Sequence, residues 1–171
     1  MVYLEKMQKM FSEKKYAELK SFCESELSLH QNDIDLLFFY ASALEALGEH
    51  EKARNYFEKL FNITKEKLFL VCKSIPSFSL GERQTAIRDL EKVRNDEENP
   101  HVLFYAFKVA VKNGEIETAQ KILYKAFKKS PNETIDNLQK FFEDIKTASM
   151  EKRMMFIAII NLLREIKRLQ G

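Results

Sequence analysis

A glycine, or a residue standing in its place, recurs along this chain at a nearly constant interval, and that recurrence limits the fold more than any other feature. Two stretches align by eye, "DLLFFYASALEALGEHEKARNYFEKLF" from Asp35 and "HVLFYAFKVAVKNGEIETAQKILYKAF" from His101. Each carries an apolar segment of helical period into a glycine, then a second amphipathic segment with an alanine and a large apolar residue. Anchored on Gly48 and Gly114, they lie 66 residues apart, or two units of 33. Gly81 falls at the midpoint, and one unit upstream Lys14 takes the glycine position with Tyr16 just behind it. The anchors 14, 48, 81 and 114 are therefore spaced by 34, 33 and 33 residues. Glycine at the turn reaches positive φ, which ends the first helix and lets the second fold back antiparallel. Ala53, Ala86 and Ala119 let two backbones approach closely. Phe57, Leu90 and Leu123, one turn later on the same face, fill the space between successive units.

With a helix–turn–helix unit of about 34 residues, the chain resembles the tetratricopeptide repeat family over residues 1 to about 133. Pro131 sits where that family closes a unit with proline, and Tyr16 where it prefers an aromatic after the turn. Units two and four match well. Unit one has Lys14 for glycine and Leu19 for alanine, unit three carries Pro76 inside its first helix, and unit four has Phe107 where the family keeps a small residue. The resemblance implies an all-α fold, an α-solenoid of antiparallel helix pairs forming a single domain. Its units span about 1–33, 34–66, 67–99 and 100–133, and a further pair over about 133–171 ends in a long capping helix.

Local chemistry sharpens the helix limits. Only 4 Gly and 3 Pro punctuate 171 residues, which suits long helices better than strands and turns. Asn99 is a suitable N-cap with Pro100 at the first helical position, Thr64 is expected to cap the first helix of unit three, and Ser130-Pro131-Asn132 stops one helix and starts the next. Pro76 should break or kink its helix near Ser74 or Ile75. Beyond Pro131 the apolar period predicts helices over about Glu133 to Lys146 and Met150 to Gln170.

Function is expected to be binding, with no catalytic residues, cofactor or metal. A formal charge of +2 argues against a nucleic-acid partner. His30, His50 and His101 meet no metal-ligand spacing, and no phosphate loop, nucleophile elbow or zinc helix motif occurs. Cys23 and Cys72 read as reduced, buried thiols. Residues Met1 to Phe11 lack the continuous apolar core of a secretory signal. The apolar run Met154 to Leu163 is about half of what a membrane span needs, so a cytoplasmic setting without a membrane span is expected. The carboxylates Asp96, Glu97 and Glu98 read as a solvated loop. Lys121, Lys125, Lys128 and Lys129, near a helix C-terminus, suit its dipole.

The family resemblance places the first helix of each pair on a concave surface that receives peptides. Carried over by position, the binding residues are Phe38, Ser42 and Glu45 in unit two, Val71 and Phe78 in unit three, and Phe104, Tyr105, Lys108 and Lys112 in unit four. The paired Lys and Asn with which chaperone-binding members grip a terminal carboxylate are missing, replaced by Leu4 with Gln8, Phe38 with Ser42, and Phe104 with Lys108. What remains is an aromatic groove with a basic end, suited to a scaffold or adaptor that holds a protein or peptide. The competing readings are a small secretion chaperone holding a client and a structural, self-assembling component.

The last helix is apolar around more than one face. Met155, Phe156, Ile159 and Leu163 are expected to need cover, from the solenoid's own groove, from a second copy in a homodimer, or from another protein.

Overall fold

The backbone passes through the left-handed region at all four anchors, with φ of 59° at Lys14, 81° at Gly48, 77° at Gly81 and 76° at Gly114. In the computed structural model, which describes residues 2–145 and 149–170, each turn closes in the same way. The N–H of residues 15, 49, 82 and 115 donates to the carbonyl five positions back at 2.9 Å, and the anchor N–H donates three positions back at 3.0–3.1 Å. That double bond is the Schellman closure of a helix C-terminus. Lys14 makes it despite carrying a side chain that disfavours this backbone. The side chains of Val2, Ile145, residues 151–153, Met155, Phe156, Ile160, Lys167 and Gln170 are outside the description.

Ten helices and no strand occur among the described residues. They are α1 (Val2–Ser12), α2 (Tyr16–Leu27), α3 (Ile34–Ala46), α4 (His50–Thr64) and α5 (Leu68–Ser79), then α6 (Arg83–Asp96), α7 (Pro100–Lys112), α8 (Ile116–Lys129), α9 (Pro131–Ile145) and α10 (Met150–Gln170). None is long and apolar enough to cross a membrane. Asp33 caps α3 by accepting from the Leu36 N–H at 2.9 Å, and Asn99 caps α7 by accepting from the His101 N–H at 2.9 Å, with Pro100 first in the helix.

Three expectations are corrected. Thr64 does not cap α5. It is the last residue of α4, its Oγ1 donates to the Leu60 carbonyl at 2.9 Å and accepts from the Glu66 N–H at 3.1 Å, and Lys65 follows at φ 60°. Of the break or kink expected at Pro76, the break does not occur, since α5 is continuous through it. The proline ring is buried, and the hydroxyls of Ser74, Ser77 and Ser79 donate to carbonyls three or four positions back, adding polar contacts around a residue that brings no N–H. The helix after Ser130 opens at Pro131, two residues earlier than expected, because proline suits a first helical position. Lys146, its expected end, lies outside the described residues.

Two compact units divide the chain, Met1–Asp89 and Leu90–Gly171. In the first, α2 packs on α3, α3 on α4 and α4 on α5. Phe38 is enclosed by Phe39, Phe57 and Phe69, with ring centroids 5.5–6.4 Å away. Lys73, on α5, stands 3.4 Å from both Glu58 on α4 and Asp89 on α6. Burial pushes the Asp89 carboxyl above its ordinary range, with Lys73 opposing the shift. Both cysteines are buried and neither forms a disulfide, and burial pushes the Cys23 thiol up to about 12.

In the second unit α7 packs on α8 and α9, while α10 lies against α8 and α9. Phe107 is fully buried, 5.3 Å from the Phe104 ring and 5.8 Å from Phe141. Its bulk, at a position the repeat family keeps small, is matched by an aromatic partner arriving from α9. Burial of one such ring contributes about 2–3 kcal/mol.

Candidate protein-binding cleft

Four residues of α7, His101, Phe104, Tyr105 and Lys108, share one face at the spacing i, i+3, i+4, i+7. On α9 the same spacing recurs in Asn137, Lys140, Phe141 and Asp144. The two faces bound an open cleft of about 240 Å³. His101 Nε2 meets Glu133 Oε1 at 3.0 Å near the start of both helices, and Phe104 and Phe107 meet Phe141 at 6.4 and 5.8 Å further along. Residue numbers advance together on the two walls, so α7 and α9 run parallel.

The floor is aromatic. Phe104 is buried, while Phe141 and Tyr105 are half-buried. The Lys108 ammonium hangs 5.8 Å from the Phe104 ring centroid and 5.9 Å from that of Tyr105, within cation–π range. Lys140 and Asp144 are exposed on the opposite wall. Apolar rings beneath charged tips make a surface for a chain segment with one large side chain, since such rings lose little entropy on contact.

The structure thus brings Phe104, Tyr105 and Lys108 together. Lys112 is exposed on α7 but does not line the cleft. In the first unit Phe38 is half-buried within its aromatic cluster. Ser42 is half-buried and its hydroxyl donates to its own helix at the Phe38 carbonyl, 2.8 Å away. Glu45 is held by His50 Nδ1 at 2.8 Å and accepts from the Ser79 hydroxyl at 3.4 Å, so it pins a turn. Val71 is wholly buried and presents no surface, which corrects its placement on the groove. Phe78 is half-buried.

On α10, Ile159 is buried, sharing a small cavity with Phe107, Val111 and Ala119, and Leu163 is half-buried. Among the described residues, none of α10 lines the α7–α9 cleft. Met155 and Phe156, named with them from the sequence, lie outside the described side chains. Exposed on the same helix are Met150, Met154 and Ile157. The lysines of α8 are largely occupied: Lys121 pairs with Glu117 at 3.1 Å, Lys125 donates to the Arg94 carbonyl at 2.6 Å, and Lys129 pairs with Glu98. No group of residues suited to a metal ion occurs among the described residues.

The α9 wall is what the sequence reading missed. Its signal was present: adding 66 to Val71 and Phe78 gives Asn137 and Asp144. The family pattern ends near Pro131, and the positional transfer ended with it.

No family model and no curated protein matches the chain. Among solved structures it is similar to MamA 41-end from Desulfovibrio magneticus RS-1, with a TM-score of 0.57 and 17% identity over 96% of this chain and 94% of that one. The structure described as the MamA RS-1 ArsTM double mutant gives the same values. MamA MSR-1 C2 aligns with a TM-score of 0.53 and 15% identity, covering 96% and 97% of the two chains. At such identities the likeness concerns the fold alone, and the chain has the all-α, tetratricopeptide-like helical-repeat fold of these structures.

Proposed function

We propose that this protein is an interaction scaffold that holds a segment of another protein between α7 and α9. The carrying observation is the pair of matched helical faces, aromatic at the floor and charged at the rim, to whose lining no described residue of α10 is added. A cleft of about 240 Å³ that is open along its length is small for an enclosed small-molecule site, for which roughly 300 Å³ or more is usual. It suits one or two side chains of a longer segment whose remainder runs over the rim. Tyr105, with an apolar body and a polar tip, is the residue type that anchors such contacts.

Site-specific photo-crosslinking in the native host tests the proposal. A photoreactive residue at Lys108 or Tyr105 should capture one discrete partner, and one at Tyr124, on the outer face of α8, should not. Equal capture at Tyr124, or none at the cleft, would contradict the reading.

A second reading, a self-assembling component, draws support from the exposed Met150, Met154 and Ile157 on α10. It expects a dimer or larger species in sedimentation, converted to monomer by Met154→Glu with Ile157→Glu. A monomer at high concentration would remove it. The secretion-chaperone reading differs from the scaffold only in its client, and crosslinking to an unfolded, exported chain would select it.

A further inference from the structure

The lysines of the second unit differ in what neutralises them. On α8, Lys121, Lys125 and Lys129 each have a carboxylate within 4 Å. Lys108 and Lys140, one on each wall of the cleft, have none among the described residues, and the Lys108 ammonium lies 5.8 and 5.9 Å from the Phe104 and Tyr105 ring centroids. One carboxylate, Asp144, lines the cleft beside them, and Glu133 is engaged by His101. The described lining therefore carries a surplus of one positive charge, from two lysines against one aspartate, above an aromatic floor.

We infer that the segment held between α7 and α9 carries a large apolar side chain with a single acidic residue close beside it. The inference rests on the reading of the cleft as a protein-binding site. The apolar side chain seats on Phe104, Tyr105 and Phe141, where it displaces water from ring faces. The carboxylate lies between the Lys108 and Lys140 ammoniums, which supply the counter-charge that this chain does not. Asp144 opposes a longer acidic run, because a second or third carboxylate would meet a like charge on the same wall. The amide of Asn137 can donate to and accept from the segment's backbone without requiring a particular side chain.

Selection of random linear peptides displayed on phage, on the full chain and on a Lys108→Glu, Lys140→Glu double variant, tests this. Both lysines are exposed, so the variant should fold. The parent chain should enrich a large apolar residue with one Asp or Glu beside it, and the double variant should enrich Lys or Arg there instead. Synthetic copies of the acidic peptides should bind the double variant about tenfold or more weakly. Their affinity for the parent should fall as salt rises from about 0.05 to 0.5 M. Peptides without an acidic preference that are lost on Phe141→Ala would overturn the charge inference and leave the cleft standing. Peptides indifferent to Phe141→Ala would overturn both. Tighter binding of a short single-stranded oligonucleotide than of the acidic peptides would also overturn the inference, since it would place a run of phosphates where one carboxylate is expected.

Discussion

Positions 66 residues apart hold the same place in their repeats, yet α3 with α5 and α7 with α9 use those places differently. Phe38 corresponds to Phe104, Val71 to Asn137, Ser74 to Lys140 and Phe78 to Asp144, each pair separated by 66. In the first unit Val71 and Ser74 are wholly buried, and the Ser74 hydroxyl is spent on the Val71 carbonyl at 2.6 Å. In the second, Lys140 and Asp144 are exposed, Asn137 is half-buried, and a cleft opens beside them. The repeat period decides where a helical face lies. The residues on that face decide whether it closes as core or stays open.

The largest effect should come from exchanging one corresponding pair. Val71→Asn should destabilise the protein by about 3 kcal/mol, because it buries an amide without designed partners and removes apolar burial. Asn137→Val should change stability by no more than about 0.5 kcal/mol. Urea denaturation of both variants checks the contrast, and equal losses would break it. Next come the close-contact alanines, Ala53 and Ala119, both buried. Replacement of either by Leu should overpack and cost about 1–3 kcal/mol, and unchanged melting temperatures in both would show the register to be wrong.

A smaller effect separates the turns. Gly114→Ala should cost about 1 kcal/mol through backbone conformation alone, since an added Cβ meets nothing within 4 Å. Lys14→Gly should gain up to about 1 kcal/mol, because a residue already at φ 59° is relieved. Thermal melts of the two should move in opposite directions. The smallest effect concerns Glu98, whose carboxyl is held below its ordinary range by Lys129 and Lys125, against a smaller opposing effect of desolvation. A lowered folded pKa contributes stability above the unfolded value and loses it as pH falls through the folded value. A slight loss of stability on acidification below about pH 4.5 should therefore shrink in Glu98→Gln, measured by melts across that range.

The anchors, the buried alanines and the Asn99–Pro100 start were legible because each depends on residues close in sequence. Even Lys14, read only from its register, adopts the glycine conformation. Thr64 and the break at Pro76 were misread for different reasons. Thr64 can serve either end of a helix and is drawn to the Leu60 carbonyl behind it, while Pro76 is carried through by the packing that buries it. Three residues of α7 that the sequence placed on a groove, Phe104, Tyr105 and Lys108, line the cleft. The α9 wall was not found, because its side chains follow the repeat spacing without the glycine and alanine marks that identify a unit. Val71 was misplaced because an apolar residue on a predicted groove face reads the same whether the next helix covers it or not.

The proposed partner binding belongs to α7–α9, whereas on the corresponding face of α3–α5 Val71 and Ser74 are buried. The most direct measurement is calorimetric affinity for the segment crosslinked at Lys108, compared between Phe141→Ala and Ile75→Ala, which are 66 residues apart. Phe141→Ala should weaken binding about tenfold or more, as expected for loss of an aromatic anchor, and Ile75→Ala should leave affinity within about twofold. Equal weakening by both, or a loss confined to Ile75→Ala, would contradict the account.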